Sequence, residues 1–273
     1  MVRSPSVREP AAFAVALTLA SLLGASACDR SPRPAASSEP VRVAAASDLT
    51  LAFEQIGRDF QAETGQSISF SFASTGVLAR QIQAGAPFDV FAAAHVSFVE
   101  DVVHGGVCDA ATQVNYAHGR LALWTRAGSQ SPPRELEELT DARYRKIAIA
   151  NPDHAPYGRA ARQALEQLGL WEELRPKLVF GESVRHAFQF AETGNVDAAI
   201  IALSHVARDR DNPWIEVPQE LFPLLKQALV VCGRGKNRAG GVAFARFVAS
   251  PRGRATLREF GLLPPEERSR TAP

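Results

Sequence analysis

Four segments of the chain place small or hydroxyl-bearing residues where a helical pattern begins. They are Ala46-Ser47, Ser74-Thr75-Gly76, Pro156-Tyr157-Gly158 and Ser183-Val184. The first backbone N–H groups of a helix have no partner inside it, and the helix dipole is positive there, so a helix start can hold a small oxyanion without Arg or Lys. Any one of these hydroxyls could be an ordinary helix cap. Their recurrence favours an anion-binding site shared by several helix starts.

A cradle made only of N–H and O–H donors discriminates among anions. It offers no acceptor for a protonated anion and no cation for its charge, so it favours a fully ionised tetrahedral dianion. Phosphate fits poorly, because near neutral pH it still carries a proton that needs an acceptor. Size and oxygen geometry then select among the other oxyanions.

Catalytic and metal-binding spacings are absent from the sequence. It contains no G-x-x-x-x-G-K-[ST], H-E-x-x-H, G-x-G-x-x-G or G-x-S-x-G motif. The six histidines, at positions 95, 104, 118, 154, 186 and 205, do not cluster at the spacing of metal ligands. A hydrolase that uses Ser47, Ser74 or Ser183 as nucleophile stays open as an alternative, but it needs a His and a carboxylate to converge in the fold. We expect a protein that is not an enzyme and has no cofactor.

Short apolar strands alternate with helices along the chain. Strands are predicted at 41–46, 67–72, 88–92, 146–150, 178–180 and 196–203. Helical spacing of apolar residues follows most of them, which predicts an α/β fold with mainly parallel sheets.

Two further apolar stretches, 120–125 and 227–232, bracket the second set of strands and helices. We expect them to cross between two lobes. The first lobe is then formed by residues 41–120 and 229–265, and the second by residues 121–228. The charged, Pro-containing residues 266–273 are expected to be a frayed tail.

The chain begins with a segment typical of secretion. Arg3 and Arg8 precede an uncharged, Ala-rich run that ends before Cys28, so residues 1–27 are predicted to be a signal peptide, with a permanent membrane helix as the alternative. Residues 28–40 are rich in Pro, Ser and Ala and are predicted to be a disordered tether. Residues 22–28 resemble the lipobox of bacterial lipoproteins, which implies lipid on Cys28. Ala25 stands where that pattern usually has Leu, so cleavage after Ala27 without lipidation stays open.

Charge and cysteine content limit the partners and the compartment. The 30 Lys and Arg residues nearly balance the 29 Asp and Glu residues, for a net charge of +1, which argues against binding to nucleic acid. If Cys28 carries lipid, Cys108 and Cys232 remain, in an oxidising compartment where a disulfide can persist. A disulfide between them and two separate buried thiols are both compatible with the sequence.

Longer motifs carry a resemblance to a known family. They are Val43-Ala44-Ala45-Ala46-Ser47-Asp48-Leu49, Phe72-Ala73-Ser74-Thr75-Gly76, Gly85-Ala86-Pro87-Phe88-Asp89-Val90-Phe91 and Asn151-Pro152-Asp153-His154-Ala155-Pro156-Tyr157-Gly158. Together they resemble the molybdate-binding proteins of bacterial ABC importers, from about residue 41 to residue 263. The resemblance implies a two-lobed periplasmic binding protein fold of type II, with two crossing strands. Such a protein is a periplasmic monomer whose lobes close on molybdate or tungstate and deliver it to a membrane permease and its ATPase.

The resemblance also implies which residues bind the oxyanion. Ser47 contributes its hydroxyl and N–H, Thr75 its hydroxyl, and Tyr157 and Val184 their backbone N–H groups, so that no residue bonds the metal directly. Relatives often add a tyrosine hydroxyl where this chain has Ala202. Additional candidates are Ser74, Ala202 and Ser204. The missing tyrosine leaves another oxyanion, such as sulfate, as an alternative ligand, and a ligand-sensing module that signals to a membrane partner is a further alternative.

Overall fold

The computed structural model describes residues 39–128 and 132–265. The predicted signal peptide, Cys28, most of the tether and the tail 266–273 lie outside these residues. Among the described residues, no helix has both the length and the apolar character needed to cross a membrane.

The first lobe is built on a five-stranded sheet with the strand order β2-β1-β3-β10-β4. Its strands are β1 (Val41–Ala46), β2 (Ile68–Ala73), β3 (Val90–Ala93), β4 (Cys108–Gly119) and β10 (Leu225–Cys232). Its helices are α1 (Thr50–Thr64), α2 (Thr75–Gln83), α3 (Val96–His104), α7 (Arg238–Ala249) and α8 (Pro251–Glu259). Rings of Phe53, Phe60, Phe244 and Phe247 pack edge to face between α1 and α7, and they form much of this lobe's core.

The second lobe is built on a five-stranded sheet with the strand order β7-β6-β8-β5-β9. Its strands are β5 (Leu121–Trp124), β6 (Ile147–Ala150), β7 (Leu178–Gly181), β8 (Ala198–Ala202) and β9 (Trp214–Glu216). Its helices are α4 (Pro156–Gln167), α5 (Trp171–Leu174) and α6 (Val184–Glu192). β6 is fully buried, as expected of a strand covered on both faces.

Both sheets are mixed rather than mainly parallel. β1 runs parallel to β2 and β3, and β6 runs parallel to β7 and β8, because helices link these strands. β10 is antiparallel to β3 and β4, and β5 is antiparallel to β8 and β9. The antiparallel pairs arise where the chain passes between the sheets and returns.

The chain passes between the lobes twice. It first leaves β4 and enters β5 through Arg120, and it later returns from β9 to β10. All of β10 pairs within the first sheet, so the division predicted between residues 228 and 229 falls inside this strand.

Cys108 and Cys232, whose pairing the sequence left open, form a disulfide. It joins the start of β4 to the end of β10.

Candidate functional site

The four predicted helix starts meet in one small cleft between the lobes. Its open space, counted together with the solvent at its mouth, is at most about 180 Å³. Its lining includes Ser47, Asp48, Ser74 and Thr75 from the first lobe and Pro156, Tyr157 and Val184 from the second. Because this volume lies below the roughly 300–1,000 Å³ typical of drug-sized ligands, the cleft suits a small ion better than an organic substrate.

Strand register brings the two first-lobe segments together. Ala46 at the end of β1 lies opposite Ala73 at the end of β2. The residues that follow these ends, Ser47 and Ser74-Thr75, therefore lie at the same edge of the sheet. This is the carboxyl edge of parallel strands, where α/β proteins generally bind ligands.

The second lobe repeats this arrangement. Ala150 at the end of β6 lies opposite Gly181 at the end of β7, and α4 and α6 begin shortly after these ends. Gly158 permits α4 to approach its strand, because a Cβ there would lie 2.2 Å from the carbonyl oxygen of Ala150. The N–H groups of Tyr157 and Val184 lie in the first turns of their helices, which supply them no acceptor.

Two buried hydroxyls that line the cleft each accept a hydrogen bond from a backbone N–H. The Ala94 N–H donates to Thr75 Oγ1 at 3.1 Å, and the Arg185 N–H donates to Ser47 Oγ at 3.5 Å. Neither hydroxyl donates to an acceptor within the described part of the chain. Because each oxygen already accepts a hydrogen bond, its own proton is available to a bound anion.

Ser74 contacts the opposite lobe instead. Its Oγ lies 2.8 Å from His154 Nδ1, and the Gly76 N–H donates to the His154 carbonyl oxygen at 3.0 Å. The His154 imidazole also lies 3.7 Å from the Glu182 carboxylate. His154 was not among the candidate residues, and it connects the start of α2 to the loop before α4.

The contacts of Ser74 and His154 argue against the alternative that the protein is a hydrolase. A His does lie within reach of Ser74, but the carboxylate beside it belongs to Glu182, whose side chain is 79% exposed. Such a carboxylate is solvated and cannot orient the ring as the buried acid of a catalytic triad does. The cleft also has room for a small ion but not for the substrate of a hydrolase.

The candidates at the end of β8 do not line the cleft. Ala202 is fully buried, and the Ser204 hydroxyl donates to the backbone carbonyl of Asp48 at 2.7 Å. Ser204 therefore does not replace the tyrosine that relatives often have near this position.

Asp48 lines the cleft but was not among the predicted site residues. Asp48 is 1% exposed, and its Oδ2 accepts hydrogen bonds from Tyr157 Oη at 3.1 Å and from Gln227 Nε2 at 2.7 Å. Burial raises the pKa of this carboxyl to about 6, and the two hydrogen bonds only partly offset that rise. The sequence feature that could have identified Asp48 is a charged residue next to Ser47 in an otherwise mostly apolar run.

The geometry is that of a binding protein, and comparison with known proteins defines its class. Residues 41–263 match the family model described as bacterial extracellular solute-binding protein. The chain belongs to this family, which confirms that it is a binding protein and not an enzyme.

Within this family, the chain is similar in sequence to molybdate-binding proteins. The chain is 34% identical to the molybdate-binding protein ModA of Rhodobacter capsulatus over 229 residues, which cover 84% of this chain and 89% of that one. It is 34% identical to ModA of Azotobacter vinelandii over 235 residues, which cover 83% and 91% of the two chains.

A solved structure, the periplasmic molybdate-binding protein of Azotobacter vinelandii, superposes with a TM-score of 0.78. It is 26% identical and covers 83% of this chain and 100% of its own. The predicted two-lobed binding-protein fold is confirmed.

Proposed function

We propose that this protein captures molybdate or tungstate in the cleft between its lobes and delivers it to the permease and ATPase of an ABC importer. The main support is the convergence of buried hydroxyls from one lobe with free helix starts from the other, in a cleft whose lining contains no Lys or Arg. The names of the relatives at 34% identity point to the same ligand.

Each site residue has a distinct role in this proposal. Ser47 donates its hydroxyl and backbone N–H, and Thr75 donates its hydroxyl. Tyr157 and Val184 donate backbone N–H groups from the second lobe, so that the oxyanion bridges the lobes and favours their closure. All contacts are made to the oxygens of the anion.

Molybdate, tungstate and sulfate are all tetrahedral dianions, so size decides among them. Sulfate remains the second candidate because Ala202 and Ser204 offer no substitute for the missing tyrosine hydroxyl. One neutral hydrogen bond contributes on the order of 1 kcal/mol, so its loss weakens binding without abolishing it.

Thermal unfolding with each anion in excess tests the ligand. Free ligand at one hundred times its dissociation constant stabilises a protein by about 2.7 kcal/mol, which raises the melting temperature by several degrees. We expect this rise with molybdate and tungstate and no comparable rise with phosphate. A rise with sulfate alone would assign the second candidate.

Ser47→Ala tests the pocket. Loss of a hydrogen bond to a charged group costs about 1.5–3 kcal/mol, so the dissociation constant for molybdate should rise roughly 10- to 100-fold. Ser71→Ala, an exposed serine on β2, is the matched control and should bind as the parent does. Equal binding by the Ser47 variant would show that the pocket is assigned wrongly.

We also propose the arrangement around the folded part: residues 1–27 as a signal peptide, 28–40 as a tether, and 266–273 as a frayed tail. The protein then acts in the periplasm as a monomer held to the membrane by lipid on Cys28. In cell fractionation, Cys28→Ala should move the protein from the membrane fraction to the soluble one. Retention in the membrane fraction of a Cys28→Ala variant from which residues 1–27 have been cleaved would contradict the lipid anchor.

A further inference from the structure

The Asp48 carboxyl lies beside the cleft and joins the two lobes. It follows Ser47 directly and accepts hydrogen bonds from Tyr157 on α4 and Gln227 on β10. The side chain of Asp48 thus contacts the side chain of Tyr157, whose backbone N–H is a proposed ligand of the oxyanion.

The buried cluster around Asp48 contains more acceptors than donors. Asp48 Oδ1 and Gln227 Oε1 are both buried, and neither has a hydrogen-bond partner among residues 39–128 and 132–265. Buried acceptors without a donor are costly, and most proteins avoid them. A proton on the carboxyl supplies one missing donor.

The groups that face Asp48 do not compensate a negative charge. They are Tyr116 on β4, Tyr157 on α4, Gln227 on β10 and the Ser204 hydroxyl. Burial holds the pKa of both tyrosines well above the ordinary value, so both are neutral. In the described part of the chain, no Lys, Arg or His contacts the carboxyl.

A dianion in the cleft would add two negative charges close to this carboxylate. In a buried, low-dielectric setting, like charges repel strongly, and a nearby negative charge favours the protonated form of a carboxyl group. We propose that the site binds its oxyanion together with one proton, which solvent supplies to the Asp48 carboxylate. This inference rests on the proposed function.

Proton uptake on binding tests the inference directly. Sodium molybdate is added to the unbuffered protein at pH 7, and a pH electrode records the protons taken up while calorimetry records the oxyanion bound. The wild-type protein should take up close to one proton per molybdate. Its dissociation constant should rise about tenfold between pH 7 and pH 8.

Asp48→Asn keeps the shape of the side chain and removes its charge. This variant should bind molybdate without proton uptake, with a dissociation constant that is flat from pH 7 to pH 8 and lower than the wild-type value at pH 8. Asp101→Asn, an exposed carboxylate on α3, is the matched control and should keep the wild-type uptake.

Tyr157→Phe provides a second variant, because it keeps the backbone N–H and removes one hydrogen bond to the carboxylate. The proton should then bind Asp48 more readily in the free protein, so uptake at pH 7 should fall below the wild-type value.

Molybdate binding by the wild type without proton uptake would overturn the inference and leave the proposed function standing. Undiminished uptake by Asp48→Asn would also overturn it, because another group would then take the proton. Failure of the wild type to bind molybdate, tungstate or sulfate would overturn the proposed function, and the inference with it.

Discussion

His205 is a buried histidine that the proposed function does not use. It is 7% exposed, neither ring nitrogen has a hydrogen-bond partner among the described residues, and its ring stacks on Phe188 with centroids 5.6 Å apart. Burial lowers the pKa of His205 to about 3, and the charge of Arg185 adds to this effect. The folded protein therefore keeps this ring neutral at pH values where an unfolded chain protonates it.

Two buried groups give opposite contributions to stability in acid. Below pH 6.5 the unfolded state takes up a proton at His205 that the folded state does not, so the free energy of unfolding falls by up to about 1.4 kcal/mol per pH unit. For Asp48 the folded carboxyl protonates first, because its pKa of about 6 exceeds the ordinary 3.8. Its contribution to the free energy of unfolding therefore rises as the pH falls from about 6 towards 3.8.

Substitution of His205 separates the two contributions. In His205→Leu the acid-induced loss is removed while the gain from Asp48 remains. Relative to the wild type, the free energy of unfolding of this variant should rise by about 1.6 kcal/mol between pH 6.5 and pH 5. Urea unfolding at both pH values measures this change in the free energy of unfolding. His104 is exposed, so His104→Leu serves as the control. If the free energy of unfolding depended on pH equally in the wild type and in His205→Leu, His205 would not cause the loss of stability in acid.

The start of α2 and the loop before α4 approach closely across the cleft. The Gly76 N–H donates to the His154 carbonyl oxygen at 3.0 Å, and a Cβ on Gly76 would lie 2.6 Å from that oxygen. The two lobes can adopt this arrangement because residue 76 has no side chain.

Gly76→Ala should therefore oppose closure of the lobes. Crowding of this kind costs about 1–3 kcal/mol, so molybdate should bind roughly 5- to 150-fold more weakly, with faster release in stopped-flow measurements. Gly105→Ala is the control, because a Cβ there would have its nearest contact at 3.4 Å. If the two variants bound molybdate equally well, the contact between α2 and the His154 loop would not limit closure.

The repeated strand–helix units were predictable because each combines a short apolar run with a hydroxyl or glycine boundary. The antiparallel strand β4 was not predicted. Its pairing with β10 contains two register shifts, and its burial does not alternate regularly, so the period-two signal is lost.

The four predicted ligand residues could be identified from these strand–helix units, but the role of Asp48 could not. Ser47, Thr75, Tyr157 and Val184 line the cleft because strand ends fix them locally. The environment of Asp48 depends on Tyr157 and Gln227, which are 109 and 179 residues away in sequence. Only the folded chain brings these partners to the carboxyl.

The disulfide joins β4 and β10, the two first-lobe strands next to the passages between the lobes. Cys108 and Cys232 are 124 residues apart, and all of the second lobe lies between them. A cross-link that closes so long a loop restricts the unfolded chain strongly, and its removal typically costs about 2–5 kcal/mol.

The double variant Cys108→Ala/Cys232→Ala should therefore unfold at a lower urea concentration. Its affinity for molybdate should be unchanged, because the disulfide lies in the first lobe at residues that do not line the cleft. Wild-type protein with a reductant should behave in the same way as the double variant. Unchanged stability of the double variant would contradict the chain-entropy argument.

The same covalent link determines how tension would pass through the molecule. A pull on the two ends of the chain reaches Cys108 from one side and Cys232 from the other, and the sulfur–sulfur bond carries it between them. Residues 109–231 lie off this path. While the bond is intact, the second lobe is mechanically shielded, and a load transmitted along the chain acts on the first lobe.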